Sequence, residues 1–169
     1  LLANRVFEGA NRLGTARPAL VPAMNRLSAR MLGSREFADD SWKVFCSARD
    51  VRFVESEFAV PRHSAEAVLT ELRAWFARTK APVPFPVEVR FTGSDDVWLS
   101  TAYERDNAYV AVHQYHRMDP RPLFAAFEAI VAEHEGRPHW GKVHALGAER
   151  LRELYPRFDD FRAVRDRLD

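Results

Sequence analysis

The sequence predicts an α+β domain: a largely antiparallel sheet of split β-α-β type with helices on one face, plus N-terminal and C-terminal helices. Three observations point there. Segments 51–60, 85–91 and 108–116 alternate side-chain character with the period of two expected of strands. Segments 65–80 and 120–135 space their apolar residues as amphipathic helices do. From residue 51 the order is strand, helix, strand, strand, helix, then a loop or short strand, which is a split arrangement.

Residues 4–14 carry Val6, Phe7, Ala10 and Leu13 at helical spacing. Residues 19–32 repeat the pattern with Leu20, Met24, Leu27 and Met31, with Pro18 and Pro22 at the entry and Gly33 as the stop. Residues 34–50 are irregular, and Trp42, Val44, Phe45 and Cys46 suggest a short buried piece. These first 50 residues are expected to form a helical segment, separate from an α+β domain over 51–169.

The first strand places Val54, Phe58 and Val60 on one face and Glu55, Glu57 and Ala59 on the other, and Pro61 ends it. Ser64 is placed to cap a helix whose stripe is Val68, Leu69, Leu72, Trp75 and Phe76, ending near Lys80. In the second strand Phe85, Val87, Val89 and Phe91 face one way, and Glu88 and Arg90 the other. A turn at 93–96 leads to a possible short strand at 97–102. The third strand sets Tyr109, Ala111, His113 and Tyr115 against Val110, Val112, Gln114 and His116. Asp119-Pro120 opens a helix carrying Leu123, Phe124, Phe127, Ile130 and Val131, and Gly136 ends it. Residues 142–144 suggest a fourth strand, 148–154 a helix, and Phe158, Phe161, Val164 and Leu168 a final amphipathic helix.

At 169 residues the chain is long enough for one domain with a core. Its 25 Lys and Arg balance 24 Asp and Glu, so charge makes no case for nucleic acid or an anionic membrane. The lone Cys46 excludes an internal disulfide and fits a reducing, cytoplasmic setting. The chain opens Leu1-Leu2-Ala3 and stops within a helical pattern, so it is expected to be a piece of a longer protein.

Two constellations could carry chemistry. Glu88 and Arg90 are same-face neighbours on a strand, and arginine suits a carboxylate or an oxygen-rich ligand. As a mere surface pair they would contribute under about 1 kcal/mol. Gly136-Arg137-Pro138-His139-Trp140-Gly141-Lys142 combines a rigid proline and two glycines with presented polar and aromatic groups, as a ligand-holding loop would. His113, His116, His139 and His144 match no metal-ligand spacing, and no metal is expected. No phosphate-binding glycine loop or nucleophile elbow is present.

The succession Val87-Glu88-Val89-Arg90, Asp95-Asp96-Val97-Trp98-Leu99-Ser100, Arg105-Asp106, the 136–142 loop, and Tyr155-Pro156-Arg157-Phe158-Asp159-Asp160-Phe161 resembles the C-terminal part of the aldonolactone oxidoreductases. These are sugar-1,4-lactone oxidases and dehydrogenases, with alditol oxidases as relatives, in the vanillyl-alcohol-oxidase flavoprotein superfamily. The likeness covers 51–169 and is weak before that. It implies a cap or substrate part of a protein whose FAD lies mainly in a domain outside this chain. It implies hydride transfer from a CH–OH group of a lactone or polyol to flavin, with oxygen or a cytochrome-like acceptor afterwards. By residue, it implies substrate binding by Glu88 and Arg90, with Arg90 stabilising developing charge. It implies His113 as base, Lys142 near flavin and substrate, and Tyr115 lining the pocket. Membrane association, known for some members, has no support in this stretch. A non-catalytic small-molecule or protein-binding module is the alternative.

Overall fold

The computed structural model describes residues 2–31, 33, 36–46 and 50–169, without the side chains of Leu2, Ala3 and Phe45. Among these, helix α1 (Leu2–Ala16), a 3-10 turn at Pro18–Leu20, α2 (Val21–Met31) and α3 (Ser41–Phe45) precede the sheet. The sheet contains β1 (Phe53–Pro61), β2 (Glu88–Thr92), β3 (Asn107–Tyr115) and β4 (Arg137–Pro138). Helix α4 (Ala65–Thr79) follows β1, α5 (Arg121–Ala132) follows β3, and α6 (Ala148–Leu154) and α7 (Phe158–Leu168) close the chain. The strand order is β2-β3-β1-β4, and every pairing is antiparallel.

The expected α+β architecture is what forms. Phe58 and Val60 of β1 and Ala108, Val110 and Val112 of β3 point to one face. There they bury Val68 and Leu72 of α4 and Leu123, Phe127 and Val131 of α5. Each such side chain, fully buried, contributes about 1.5–3 kcal/mol. Lys80 closes α4 in the left-handed conformation, with φ 53°. Gly136 is required by close approach: a Cβ there would lie 2.7 Å from the Val131 carbonyl oxygen.

Five expectations change. Residues 34–50 contain no buried piece among the described side chains: Trp42 and Val44 on α3 and Cys46 just after it are exposed, and the Phe45 side chain lies outside the described residues. Strand β2 begins at Glu88 rather than 85, because Pro84 and Pro86 offer no backbone N–H to a ladder. Phe85, off the strand, packs against Phe53 and Phe7 on the polar-face side instead of the core side. Residues 97–102 form turns inside a long loop, tied by an isolated bridge between Asp95 and Tyr103. The fourth strand is Arg137–Pro138, not 142–144.

The second sheet face is also not bare. Helix α1 lies at one end of it, where the Tyr115 hydroxyl donates to Glu8 at 2.7 Å. Val6 and Leu13 of α1 and Leu27 and Met31 of α2 remain exposed, so their stripes point away from this core. At the other end, the 93–106 loop and the 139–143 loop stand over the sheet.

Candidate functional site

The cross-strand register assembles the polar face. Glu55 lies opposite His113, Glu57 opposite Ala111, and Ala59 opposite Tyr109. On the other side of β3, Glu88 is opposite Ala111 and Arg90 opposite Tyr109. Three acids, an arginine, a histidine and a tyrosine thus surround one small residue, Ala111.

Beyond β4 the chain continues along the edge of β1. His139 N donates to Glu57 O at 2.9 Å, and Val143 N to Glu55 O at 3.0 Å. This edge pairing carries the Gly136–Lys142 loop across the face and brings the Lys142 ammonium onto Glu55 Oε2. The other Glu55 oxygen, Oε1, is 3.3 Å from His113 Nε2. Arg90 Nη2 meets Glu57 Oε1 at 2.6 Å. Arg90 reaches diagonally over Ala111 to do so, and the short side chain there leaves the path open.

Both pairs are built alike, with the carboxylate deep and the cation toward the opening. The Glu57 side chain is 3% exposed and that of Arg90 57%; for Glu55 and Lys142 the figures are 11% and 29%. Of the buried atoms without a hydrogen-bond partner among the described residues, two belong to this cluster, Glu57 Oε2 and His113 Nδ1.

Two cavities open on this face. The larger, about 460 Å³, is lined by Arg90, Lys142, Glu57, Tyr109, Thr101 and Trp140, among others. The smaller, about 240 Å³, is lined by Glu88 and His113 together with Phe7, Phe53, Phe85 and Pro86. Of the residues expected at the site, Arg90 and Lys142 therefore share one cavity, and Glu88 and His113 the other. Glu88 is not the partner of Arg90; Glu57 is. Tyr115 lines neither cavity. It is fully buried and tethers α1, and burial, then its bond to Glu8, pushes its hydroxyl pKa up.

The far wall is held by two arginines, Arg137 buried and Arg105 mostly covered. Arg137 donates to Thr101 O, Tyr103 O and Leu154 O at 3.1, 2.9 and 3.0 Å. Arg105 donates to Ala59 O and to Asn107 Oδ1. Burial lowers both guanidinium pKa values, that of Arg105 to about 10 with the Arg137 charge as the next cause. Trp140 donates its indole N–H to Leu99 O at 2.8 Å and stacks on Tyr155 at 4.9 Å. Tyr155 in turn donates to Pro138 O at 2.9 Å. The indole is thereby fixed at the cavity edge.

Period-two alternation puts Glu55 and Glu57 on the polar face but assigns them no part in the site. The available signal was two acids in a strand flanked by apolar residues, where an exposed face was not assured. Chemically, the site offers a half-exposed planar guanidinium, an anchored ammonium, hydroxyls from Tyr109 and Thr101, and a histidine. That set suits an oxygen-rich ligand or a group that develops negative charge.

A family model described as D-arabinono-1,4-lactone oxidase matches residues 1–169. The L-gulono-1,4-lactone dehydrogenase of Mycobacterium tuberculosis is 47% identical over 152 residues, covering 90% of this chain and 36% of that protein. The L-gulonolactone oxidase of Bos taurus is 34% identical over 169 residues, covering 93% of this chain and 37% of that protein. An alditol oxidase of Streptomyces is 37% identical over 120 residues, 69% of this chain and 28% of that protein. The chain thus spans little more than a third of the length of the two lactone-named relatives. With the model match running over every residue, the chain belongs to the D-arabinono-1,4-lactone oxidase family.

Proposed function

We propose that this chain is the cap and substrate-binding portion of an FAD-dependent oxidoreductase that oxidises a CH–OH group of a sugar-1,4-lactone. The lactone is of the D-arabinono-, L-gulono- or L-galactono- type. The observation that carries this reading is the pair of cations, Arg90 and Lys142, seated on the buried Glu57 and the mostly covered Glu55 and both lining one cavity. A lactone is uncharged but rich in oxygen, and its oxidation builds negative charge on one oxygen. Seated cations meet that charge without first having to reorient.

The residues fit one part of FAD. Lys142 presents a positive charge suited to the electron-rich edge of a flavin ring, but the chain has no glycine-rich loop for the phosphates. The remaining contacts to FAD are assigned to sequence outside this chain. When bound, the flavin supplies the hydride acceptor.

The chain's own side chains do the rest. Arg90 donates to the substrate oxygen as charge develops. Glu88 accepts from a sugar hydroxyl at the mouth of the smaller cavity. His113, which lines the smaller cavity with Nε2 beside Glu55, is assigned as the base for the hydroxyl proton.

The test uses the complete flavoprotein under anaerobic conditions. Sugar-1,4-lactones are expected to bleach the flavin absorbance. Arg90→Met and Lys142→Met are each expected to slow that reduction by on the order of 100-fold while flavin content persists. Reduction by acyclic polyols alone would favour an alditol oxidase, and undiminished rates in both variants would remove the site assignment.

A further inference from the structure

We propose that Glu55 is the positioning residue of the site, one carboxylate that sets the spacing between Lys142 and His113. The assignment deepens the reading given above. Oε2 holds the Lys142 ammonium, and Oε1 stands 3.3 Å from His113 Nε2.

Three features make this more than an incidental ion pair. First, the carboxylate is 11% exposed, so its charge is costly unless both oxygens are matched. Second, its two partners come from unrelated parts of the chain, β3 and the loop after β4. Only the β1 edge unites them, through the Glu55–His113 register and the Val143 N to Glu55 O bond. Third, the two partners line different cavities of the same face, and Glu55 contacts one group from each. His113 is further clamped by Phe53, edge-on at 5.0 Å. Phe85 flanks it at 6.0 Å, so the ring lies between one carboxylate and two aromatic side chains. Glu57, on the same strand face, is already matched to Arg90 and leaves Glu55 to serve these two.

The consequence is a division of labour. Glu55 itself is in the lining of neither cavity. It gives Lys142 a fixed place and sets a carboxylate oxygen beside His113 Nε2. Glutamine keeps the size but removes the charge. Aspartate keeps the charge, but its shorter reach cannot hold both partners at once.

The complete flavoprotein and its Glu55→Gln and Glu55→Asp variants provide the test, with flavin content and thermal unfolding measured alongside. The first readout is labelling of Lys142 by acetic anhydride, followed by peptide mass spectrometry with Lys43 and Lys80 as internal references. Glu55→Gln is expected to label Lys142 several-fold faster than wild type, and Glu55→Asp to fall between them. The second readout is the kinetic split: kcat on the lactone is expected to fall on the order of 100-fold in Glu55→Gln with KM little changed, and to recover partly in Glu55→Asp. If Glu55→Gln does not fold, Glu55→Asp is judged by both readouts against wild type. Unchanged Lys142 labelling in a folded variant overturns the proposal. Faster labelling in a protein that oxidises no lactone keeps the positioning role and removes the lactone reading instead.

Discussion

Arg90 and Glu57 meet at 2.6 Å with the carboxylate sealed and the guanidinium half in solvent. Such a pair adds little net stability, yet breaking it from the solvent side leaves an uncompensated buried charge. Glu57 Oε2 already lacks a partner, so without Arg90 neither oxygen has one among the described side chains. Arg90→Ala is therefore expected to destabilise the complete protein by about 1–3 kcal/mol. Adding Glu57→Gln to it should recover part of that loss, because the charge is then gone as well. Urea unfolding of the two single variants and the double variant measures the coupling; strictly additive effects would mean that the two side chains do not act as a pair.

At the scale of single elements, the start of α5 shows a charge arranged to hold a helix end. Asp119 accepts from the Arg121 side chain at 2.8 and 2.7 Å and from Arg121 N at 3.0 Å. These bonds, the side-chain ones first, pull the Asp119 pKa down to about 2. A carboxyl whose folded-state pKa is depressed contributes stability above its unfolded value of about 3.9, and loses it as pH falls toward the folded value. Asp119→Asn should accordingly lower the melting temperature at neutral pH, with the gap to wild type closing as pH is lowered from about 5 toward 2. Thermal unfolding across that range measures it, and a gap independent of pH would exclude the charged Asp119–Arg121 contact. The effect is confined to the exposed start of one helix and is expected to leave the cavities unchanged.

At the scale of the molecule, the site is a junction between a sheet and two loops, and Arg137 is its main tie. Three carbonyls from the 93–106 loop and α6 converge on one guanidinium, beside Tyr155, whose hydroxyl is raised in pKa by burial. Lysine keeps the charge but lacks the planar fork. Arg137→Lys is expected to cost about 2–3 kcal/mol, read from the denaturant midpoint. It should also weaken lactone binding, because Thr101 and Leu99 form the wall that the tie supports. Loss of stability with substrate affinity intact would separate the wall from the site.

Much of this was legible in the residues themselves. Period-two alternation fixed which side chains share a sheet face, including Tyr109, Ala111 and His113 on one side and Val110 and Val112 on the other. The 3.6-residue stripes of α4 and α5 supplied the core, and the succession of motifs pointed to the family. These properties are local, set by backbone geometry and hydrophobic spacing within one element. The partners within the site were decided only in three dimensions. Sequence neighbours Glu88 and Arg90 went to different cavities, because Arg90 crosses over Ala111 to an acid 33 positions earlier. Lys142 found Glu55, 87 positions away, because the loop follows the edge of β1. Tyr115, on the expected face, was drawn to α1 instead. Strand register and the path of a loop along a sheet edge belong to the folded chain as a whole, and it is they that choose the carboxylate on which each cation rests.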